Sequence, residues 1–239
     1  QLWIKRVIAE MGGKDTIIVN NDCNIDEAVQ GTLSAAFGFQ GQKCSACSRV
    51  VVHHSIYDQF VDNLVLKAKT LTVGNVNQPQ SYMGAVINKK AFDSILSYIK
   101  IGSNEGNIVF GCEGNDSNGY FIQPTIIKDV APLATIAQEE IFGPVLAVIK
   151  SKDFEDALQI ANNTPYGLTG AVFTNSRENI EKAKKLFHVG NLYFNRKCTG
   201  ALVGVHPFGG FNMIGTDSKA GGKDYLQLFT QAKCLSEKI

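Results

Sequence analysis

Cys44 is the residue of this sequence whose surroundings most favour covalent chemistry. It lies in a glycine-containing segment, residues 38–49, between a predicted helix and a predicted strand. A thiolate adds readily to a carbonyl carbon, and nearby cations lower the pKa of a thiol. We therefore expect Lys43 or Arg49 to favour the Cys44 thiolate. Taken alone, the pattern also fits a small buried core cysteine.

Cys44 and Cys47 also form a C-x-x-C pair, which is typical of zinc sites and of dithiol redox proteins. A structural zinc site needs about four ligands, and no second cysteine pair or nearby histidine pair stands at ligand spacing. We therefore predict no metal. A dithiol function stays open as an alternative, although the sequence around the pair is not thioredoxin-like.

Glu10 is the candidate general base. It follows the apolar pair Val7 and Ile8, which predicts a strand end, and it precedes Gly12 and Gly13. A carboxylate at such a position can face a cleft, because glycines let the backbone approach a ligand closely. The alternative is an exposed surface glutamate.

The elements that must position these residues alternate between helix and strand. Apolar periodicity predicts strands at 16–19 and 50–52 and near positions 108, 146, 171 and 192; it predicts helices at 24–37, 89–103, 153–162 and 176–188, with one more capped by Ser55. This alternation predicts one α/β domain with an open, mostly parallel sheet flanked by helices. Residues 199–222 hold seven glycines without a clear period, which predicts a long functional loop.

Composition narrows the class of partner. The 23 basic and 22 acidic side chains nearly cancel, and no Lys/Arg run exceeds two residues. The sequence therefore predicts neither nucleic-acid binding nor, without an apolar run of about 18 to 20 residues, a membrane span. Six cysteines without a disulfide framework indicate free thiols in a reducing compartment, the cytoplasm or, in a eukaryote, the mitochondrial matrix.

Three blocks of sequence, at residues 10–14, 41–44 and 139–145, resemble in order the C-terminal half of the aldehyde dehydrogenase family. Similarity at 162–168 and 206–210 extends the resemblance over nearly the whole chain. The resemblance implies an aldehyde dehydrogenase-like catalytic domain. In it, Cys44 attacks the aldehyde and Glu10 activates water to hydrolyse the thioester.

The resemblance also implies NAD as the cofactor and an aldehyde as the small-molecule substrate. Glu140 matches the residue that binds the nicotinamide ribose hydroxyls, since a carboxylate accepts hydrogen bonds from a diol. Phe142 matches an aromatic residue beside the nicotinamide. Ile214 departs from the serine that the family pattern leads us to expect before Gly215.

Two segments, 41–49 and 215–226, resemble the branch of the family that oxidises glutamate γ-semialdehyde to glutamate in proline catabolism. The semialdehyde forms by hydrolysis of the cyclic 1-pyrroline-5-carboxylate. The implied substrate contacts are Ser45, Gly221 and Gly222 at the carboxylate and amino group, and Phe229 on the methylene chain. Another aldehyde specificity, or a non-catalytic binding protein on the same fold, stays open.

The resemblance finally predicts how the chain is divided. Residues 1–10 match the end of an NAD-binding domain, 11–227 the catalytic domain, and 228–239 a C-terminal strand that joins a partner's sheet in a homo-oligomer. The chain begins with Gln1 and contains no G-x-G-x-x-G. We therefore expect a fragment without the N-terminal dinucleotide-binding domain, inactive as a dehydrogenase by itself.

Overall fold

Strands and helices alternate along most of the chain, as the sequence predicts. The computed structural model describes residues 4–216 and 219–239. The strands are β1 (Asp15–Val19), β2 (Cys47–His53), β3 (Asn107–Phe110), β4 (Gly114–Asn115), β5 (Phe121–Ile122), β6 (Thr125–Lys128), β7 (Val145–Ser151), β8 (Tyr166–Gly167), β9 (Thr169–Phe173), β10 (Asn191–Phe194) and β11 (Phe211–Asn212). The α-helices are α1 (Ile25–Phe37), α2 (Tyr57–Ala68), α3 (Lys89–Glu105), α4 (Thr135–Gln138), α5 (Phe154–Asn162) and α6 (Arg177–Leu186). Short 3-10 helices cover Gly38–Gly41, His54–Ile56 and Tyr225–Phe229.

Seven strands form the central sheet, in the order β10-β9-β1-β2-β7-β6-β3. Neighbouring strands run parallel, apart from the antiparallel pair β3 and β6 at one edge. Strands β8 and β11, and strands β4 and β5, form two small antiparallel pairs. The prediction of an open, mostly parallel sheet is therefore confirmed.

Helices cover both faces of this sheet. Side chains of a strand alternate between its faces, so Ile17 and Val19 of β1 pack on the side of α1 and α2, whereas Ile18 packs with α3, α5 and α6. Burial on both faces explains why the central strands are continuous apolar runs.

The helix starts follow from capping side chains. The Oδ1 atom of Asn24 accepts hydrogen bonds from the first-turn N–H groups of α1, and Asp153 and Ser176 cap α5 and α6 in the same way. The predicted cap at Ser55 is wrong. Its hydroxyl instead bonds His53 Nδ1 at 2.9 Å, and a 3-10 turn delays the start of α2 until Tyr57.

Several further segments differ from the sequence predictions, among them the short elements α4, β4, β5, β8 and β11. Strand β6 was not predicted, because its apolar core is only Ile126 and Ile127 after a proline. Residues 4–9 form no strand, since no described strand runs alongside them; residues 1–3 of the predicted 1–10 segment lie outside the described residues. Residues 230–239 form neither helix nor strand in the single chain. The predicted C-terminal strand needs a partner's sheet and stays a prediction.

Candidate active site

A cleft of about 710 Å³ opens at the end of the sheet where the central strands β1 and β2 begin. Cys44 precedes β2 and Glu10 precedes β1, and because these neighbouring strands are parallel, both residues reach the same end. Both line the cleft. The long loop closes the opposite side with residues between 200 and 221. The nucleophile, the base and the loop predicted from the sequence therefore share one cavity.

A tight turn between α1 and β2 positions Cys44. Phe39, Gln40 and Gly41 all have positive φ angles, at 57°, 58° and 66°. A Cβ atom on Gly41 would lie 2.3 Å from the carbonyl oxygen of Gly143, so this position requires glycine both for its φ angle and for the close approach. The turn is also anchored by the Gln42 Oε1 atom, which accepts the N–H of Ile87 at 2.9 Å.

Gly12 and Gly13 let the backbone before β1 pass between two functional groups. A Cβ atom on Gly12 would lie 2.4 Å from Glu140 Oε2, and one on Gly13 would lie 2.2 Å from the carbonyl oxygen of Cys44. The N–H of Gly13 donates to Glu140 Oε1 at 2.9 Å. The two glycines thus bring the predicted nucleophile and the predicted cofactor residue into one neighbourhood.

We expect Gly13→Ala to lower the free energy of unfolding by about 1 to 3 kcal/mol, since the added methyl group must displace the Cys44 backbone. Gly38→Ala is the matched control, because its Cβ atom would meet nothing closer than 3.6 Å. Urea unfolding of both variants checks this. A Gly13→Ala chain as stable as Gly38→Ala would contradict the close packing.

The electrostatic surroundings of Cys44 differ from the sequence prediction. Burial, and then the negative charge of Asp15, raise the pKa of the Cys44 thiol. Lys43 and Arg49 do not lower it as predicted. The Lys43 Nζ atom lies beside Gly38, and the buried Arg49 guanidinium donates to Thr16 and to two backbone carbonyls. The neighbourhood of Cys44 therefore favours the thiol over the thiolate.

Cys47 occupies a different environment from Cys44. It is 1% exposed in the core on the α1 side of the sheet, and its thiol donates to the carbonyl of Arg49 at 3.3 Å. All six cysteines are free. Since only Cys44 of the pair lines the cleft, the arrangement favours a single nucleophile over a dithiol pair.

Glu10 is held over the cleft by the loop. The segment around it forms an isolated antiparallel bridge with Gly215, and Met11 N–H donates to the carbonyl of Ile214 at 2.8 Å. Ala9 and Thr216 exchange two further hydrogen bonds, at 2.9 and 3.1 Å. We call residues 9–11 and 214–216 the strap. It leaves the Glu10 side chain exposed at the mouth of the cleft.

The two predicted cofactor residues lie side by side at the rim. Phe142 lines the cleft with 45% of its surface exposed, at a positive φ of 55°. Glu140 lies outside the cleft lining but borders a narrow adjoining cavity that Phe142 shares. An apolar ring and a carboxylate are thus presented together next to Cys44.

The predicted substrate residues divide into two groups. Ser45 and Gly221 line the cleft. Gly222 and Phe229 do not; Phe229 lies in the 3-10 helix, 64% exposed and edge-on to Tyr225. Residues 217 and 218 of the similar segment 215–226 lie outside the described residues. The substrate contact of Phe229 stays a prediction.

Sequence reasoning missed two buried charged residues beneath the site. Lys14 and Asp15 are each only 2% exposed. Only one feature of the sequence could have indicated their burial, namely that two adjacent ionisable residues directly precede an apolar strand. His206 also lines the cleft unpredicted. Over the described ranges, no group of three His, Cys, Asp or Glu side chains could hold a metal, and no helix is both long and apolar enough to cross a bilayer.

Comparison with known proteins gives consistent matches. A 1-pyrroline-5-carboxylate dehydrogenase of Anoxybacillus flavithermus is 60% identical over 237 residues, which are 99% of this chain and 46% of the relative. One from Bacillus subtilis is 59% identical, and its match covers the same fractions of the two chains. The chain thus spans about half the length of the curated relatives it matches.

Solved structures agree with these matches. A Thermus 1-pyrroline-5-carboxylate dehydrogenase with bound NAD superposes with a TM-score of 0.93 and 52% identity, covering 96% of this chain and 44% of that one. A Staphylococcus aureus betaine aldehyde dehydrogenase in complex with NAD+ superposes with a TM-score of 0.87 and 32% identity, covering 92% of this chain and 44% of that one. Residues 2–235 match the model of the aldehyde dehydrogenase family. This chain therefore belongs to the aldehyde dehydrogenase family.

Proposed function

We propose that the chain is the catalytic half of an NAD-dependent enzyme that oxidises glutamate γ-semialdehyde to glutamate. The observation that carries this proposal is the shared cleft of Cys44, Glu10, Ser45 and Gly221. The relatives that are about 60% identical over the whole chain are named for the corresponding pyrroline substrate. We place the enzyme in proline catabolism on the same ground.

The first chemical step falls to Cys44. Its sulfur attacks the aldehyde carbon as the thiolate, which gives a thiohemiacetal bound to the protein. The Cys44 main-chain N–H would stabilise the developing oxyanion. Because burial and Asp15 raise the pKa of this thiol, the sulfur must first release its proton to solvent water in the open cleft before it attacks.

The second step falls to Glu10. NAD, held beside Phe142 and Glu140, would supply the hydride acceptor for oxidation of the adduct to a thioester. Glu10 then takes a proton from water, which attacks the thioester and releases the carboxylate product. The exposed position of Glu10 at the mouth of the cleft suits this role, since water reaches it directly.

The residues at the rim fit the nicotinamide end of NAD. The exposed face of Phe142 can pack against a planar ring, and the Glu140 carboxylate can accept hydrogen bonds from ribose hydroxyls. The chain spans only about half the length of its curated relatives. We therefore propose that these 239 residues do not sustain dehydrogenase turnover alone.

Substrate choice would depend on the loop side of the cleft. Gly221 has a φ of 68°, and its carbonyl accepts the N–H of Gly204 at 2.8 Å, which fixes the local backbone. Fixed backbone groups recognise a zwitterionic end well, and the Ser45 hydroxyl adds a further donor. Gly222 and Phe229 complete the proposed contacts.

A substrate comparison tests the proposal. We would join the chain to the N-terminal half of its Anoxybacillus relative and measure NADH formation. We expect kcat/KM for glutamate γ-semialdehyde to exceed that for pentanal, which lacks the charged end, by about 100-fold or more. Equal values would favour another aldehyde specificity. No turnover, with Cys44 no more reactive towards thiol reagents than the other cysteines, would favour a non-catalytic protein.

The isolated chain serves as the second arm of this experiment. Sustained NADH formation by the 239 residues alone would contradict the proposal that they need an N-terminal half for turnover.

Homo-oligomer formation through residues 228–235 also remains a proposal, supported by the exposure of Leu235 at 81% and Phe229 at 64%. We also propose a cytoplasmic location, or the mitochondrial matrix in a eukaryote, because six free cysteines suit a reducing compartment.

A further inference from the structure

A buried acid lies directly beneath the nucleophile. Asp15 begins β1 and is 2% exposed, and its Oδ1 atom accepts the N–H of Thr169 at 2.6 Å. A Cβ atom on Gly13 would lie 2.2 Å from the Cys44 carbonyl oxygen and 2.8 Å from Asp15 Oδ2. One glycine therefore separates the carboxyl group of Asp15 from the backbone that carries Cys44.

The carboxyl group of Asp15 is incompletely paired. Among the described residues, its Oδ2 atom has no hydrogen-bond partner and no contact with solvent. The buried Lys14 Nζ atom likewise lacks a partner among them, so the two neighbours do not form an ion pair. A buried carboxylate without a partner is costly, and such a group binds a proton instead.

The charges around Asp15 reinforce this. Six residues interact with the Asp15 carboxyl group through charge or hydrogen bonds: Lys14, Cys44, Arg49, Glu140, Thr169 and Cys198. Burial and the charge of Glu140 raise the pKa of Asp15 to about 8, against the opposing effects of the Thr169 hydrogen bonds and Arg49. Burial lowers the pKa of Lys14 to about 7.

We propose that Asp15 is a positioning residue that controls the charge on the nucleophile: its buried carboxyl group, once ionised, holds Cys44 as the thiol, and the two groups resist being ionised together. The proposal deepens the proposed function, since it concerns the same sulfur atom. Asp15 acts through Cys44 and has no place in the cleft lining. Two interacting acids of this kind titrate as a pair.

The test is the pH profile of Cys44 alkylation, which needs neither cofactor nor turnover. The 239-residue chain and Asp15→Asn react with iodoacetamide, and peptide mass spectrometry follows Cys44 separately from the other cysteines. Asparagine keeps an oxygen for the Thr169 N–H but cannot ionise. We expect alkylation of Cys44 in Asp15→Asn to be about three- to tenfold faster near pH 9, because removing a nearby like charge lowers the thiol pKa.

Below about pH 7 the two profiles should agree within about twofold, since Asp15 is then protonated in the parent chain as well. Asp26→Asn, an exposed aspartate in the first turn of α1, is the matched control and should leave the profile unchanged. Superimposed profiles of Asp15→Asn and the parent above about pH 8 would overturn the proposal. An active enzyme with superimposed profiles would overturn it without touching the proposed function.

A reciprocal measurement covers the case in which Asp15→Asn does not fold. Carboxyl-carbon NMR of aspartate-labelled protein follows the aspartate with the highest titration midpoint, in the parent chain and in Cys44→Ser. Coupling between two groups is mutual, so ionisation of Cys44 at higher pH should give that aspartate signal a second step, which Cys44→Ser should lack. A parent titration without the second step, or a second step that persists in Cys44→Ser, would overturn the proposal.

Discussion

Replacing Cys44 by serine should lower the rate of NADH formation by about 10⁴-fold or more, the loss typical of removing a covalent nucleophile. The hydroxyl of serine stays protonated at neutral pH and is a far weaker nucleophile than a thiolate. The chimera with the Anoxybacillus N-terminal half is the protein to assay. Intact-protein mass spectrometry should detect no adduct of the aldehyde with the variant.

Cys234→Ser is the matched control, because Cys234 is free and exposed near the C-terminus, away from the cleft. It should keep the rate of the parent protein. A Cys44→Ser enzyme that kept more than about one tenth of the parent rate would exclude Cys44 as the nucleophile. A less than tenfold decrease in rate is far smaller than the decrease typical of removing a covalent nucleophile. One of the other five thiols would then need to be tested.

Glu10→Gln should produce a different defect. Glutamine cannot take a proton from water, so thioester hydrolysis should slow by about 10² to 10⁴-fold. Attack by Cys44 should survive. We therefore expect one equivalent of NADH per site in the first turnover, followed by slow steady-state formation, in a rapid-mixing experiment. The acyl group should remain on Cys44 long enough for mass spectrometry of the quenched protein.

Glu237→Gln removes an exposed carboxylate in the C-terminal segment and should change neither phase. A Glu10→Gln enzyme with the parent steady-state rate would show that another group activates the water. Loss of the first turnover as well would mean that Glu10 serves the attack by Cys44. The two patterns are distinguishable in one trace.

Much of the fold was predictable because local signals and tertiary packing agree. Asn24 caps α1 where the apolar period begins, and Asp153 and Ser176 do the same for α5 and α6. The alternation of these elements predicted the parallel sheet. Strand β6 escaped prediction because two isoleucines after a proline carry little local signal, and its pairing with β3 and β7 comes from distant segments.

The candidate site was predictable only in part. Cys44 and Glu10 stood out by residue type and by resemblance. The burial of Lys14 and Asp15 did not, because adjacent charged side chains are ordinarily exposed. They are buried because the Cys44 turn, Glu140 and Thr169 close over the start of β1, and that closure depends on contacts across more than 100 residues of sequence. The cations expected to assist Cys44 were misjudged for the same reason.

The strap has a consequence for how such a protein changes by mutation. Its hydrogen bonds join Ala9 and Met11 to Thr216 and Ile214, a few residues before the proposed substrate loop glycines. A substitution that shifts this loop to admit a larger aldehyde would also shift Glu10, the acid that we propose activates water. Selectivity for larger aldehydes and release of the product are thus coupled through the strap. Laboratory evolution should find paired substitutions, one in residues 9–11 and one in residues 214–216.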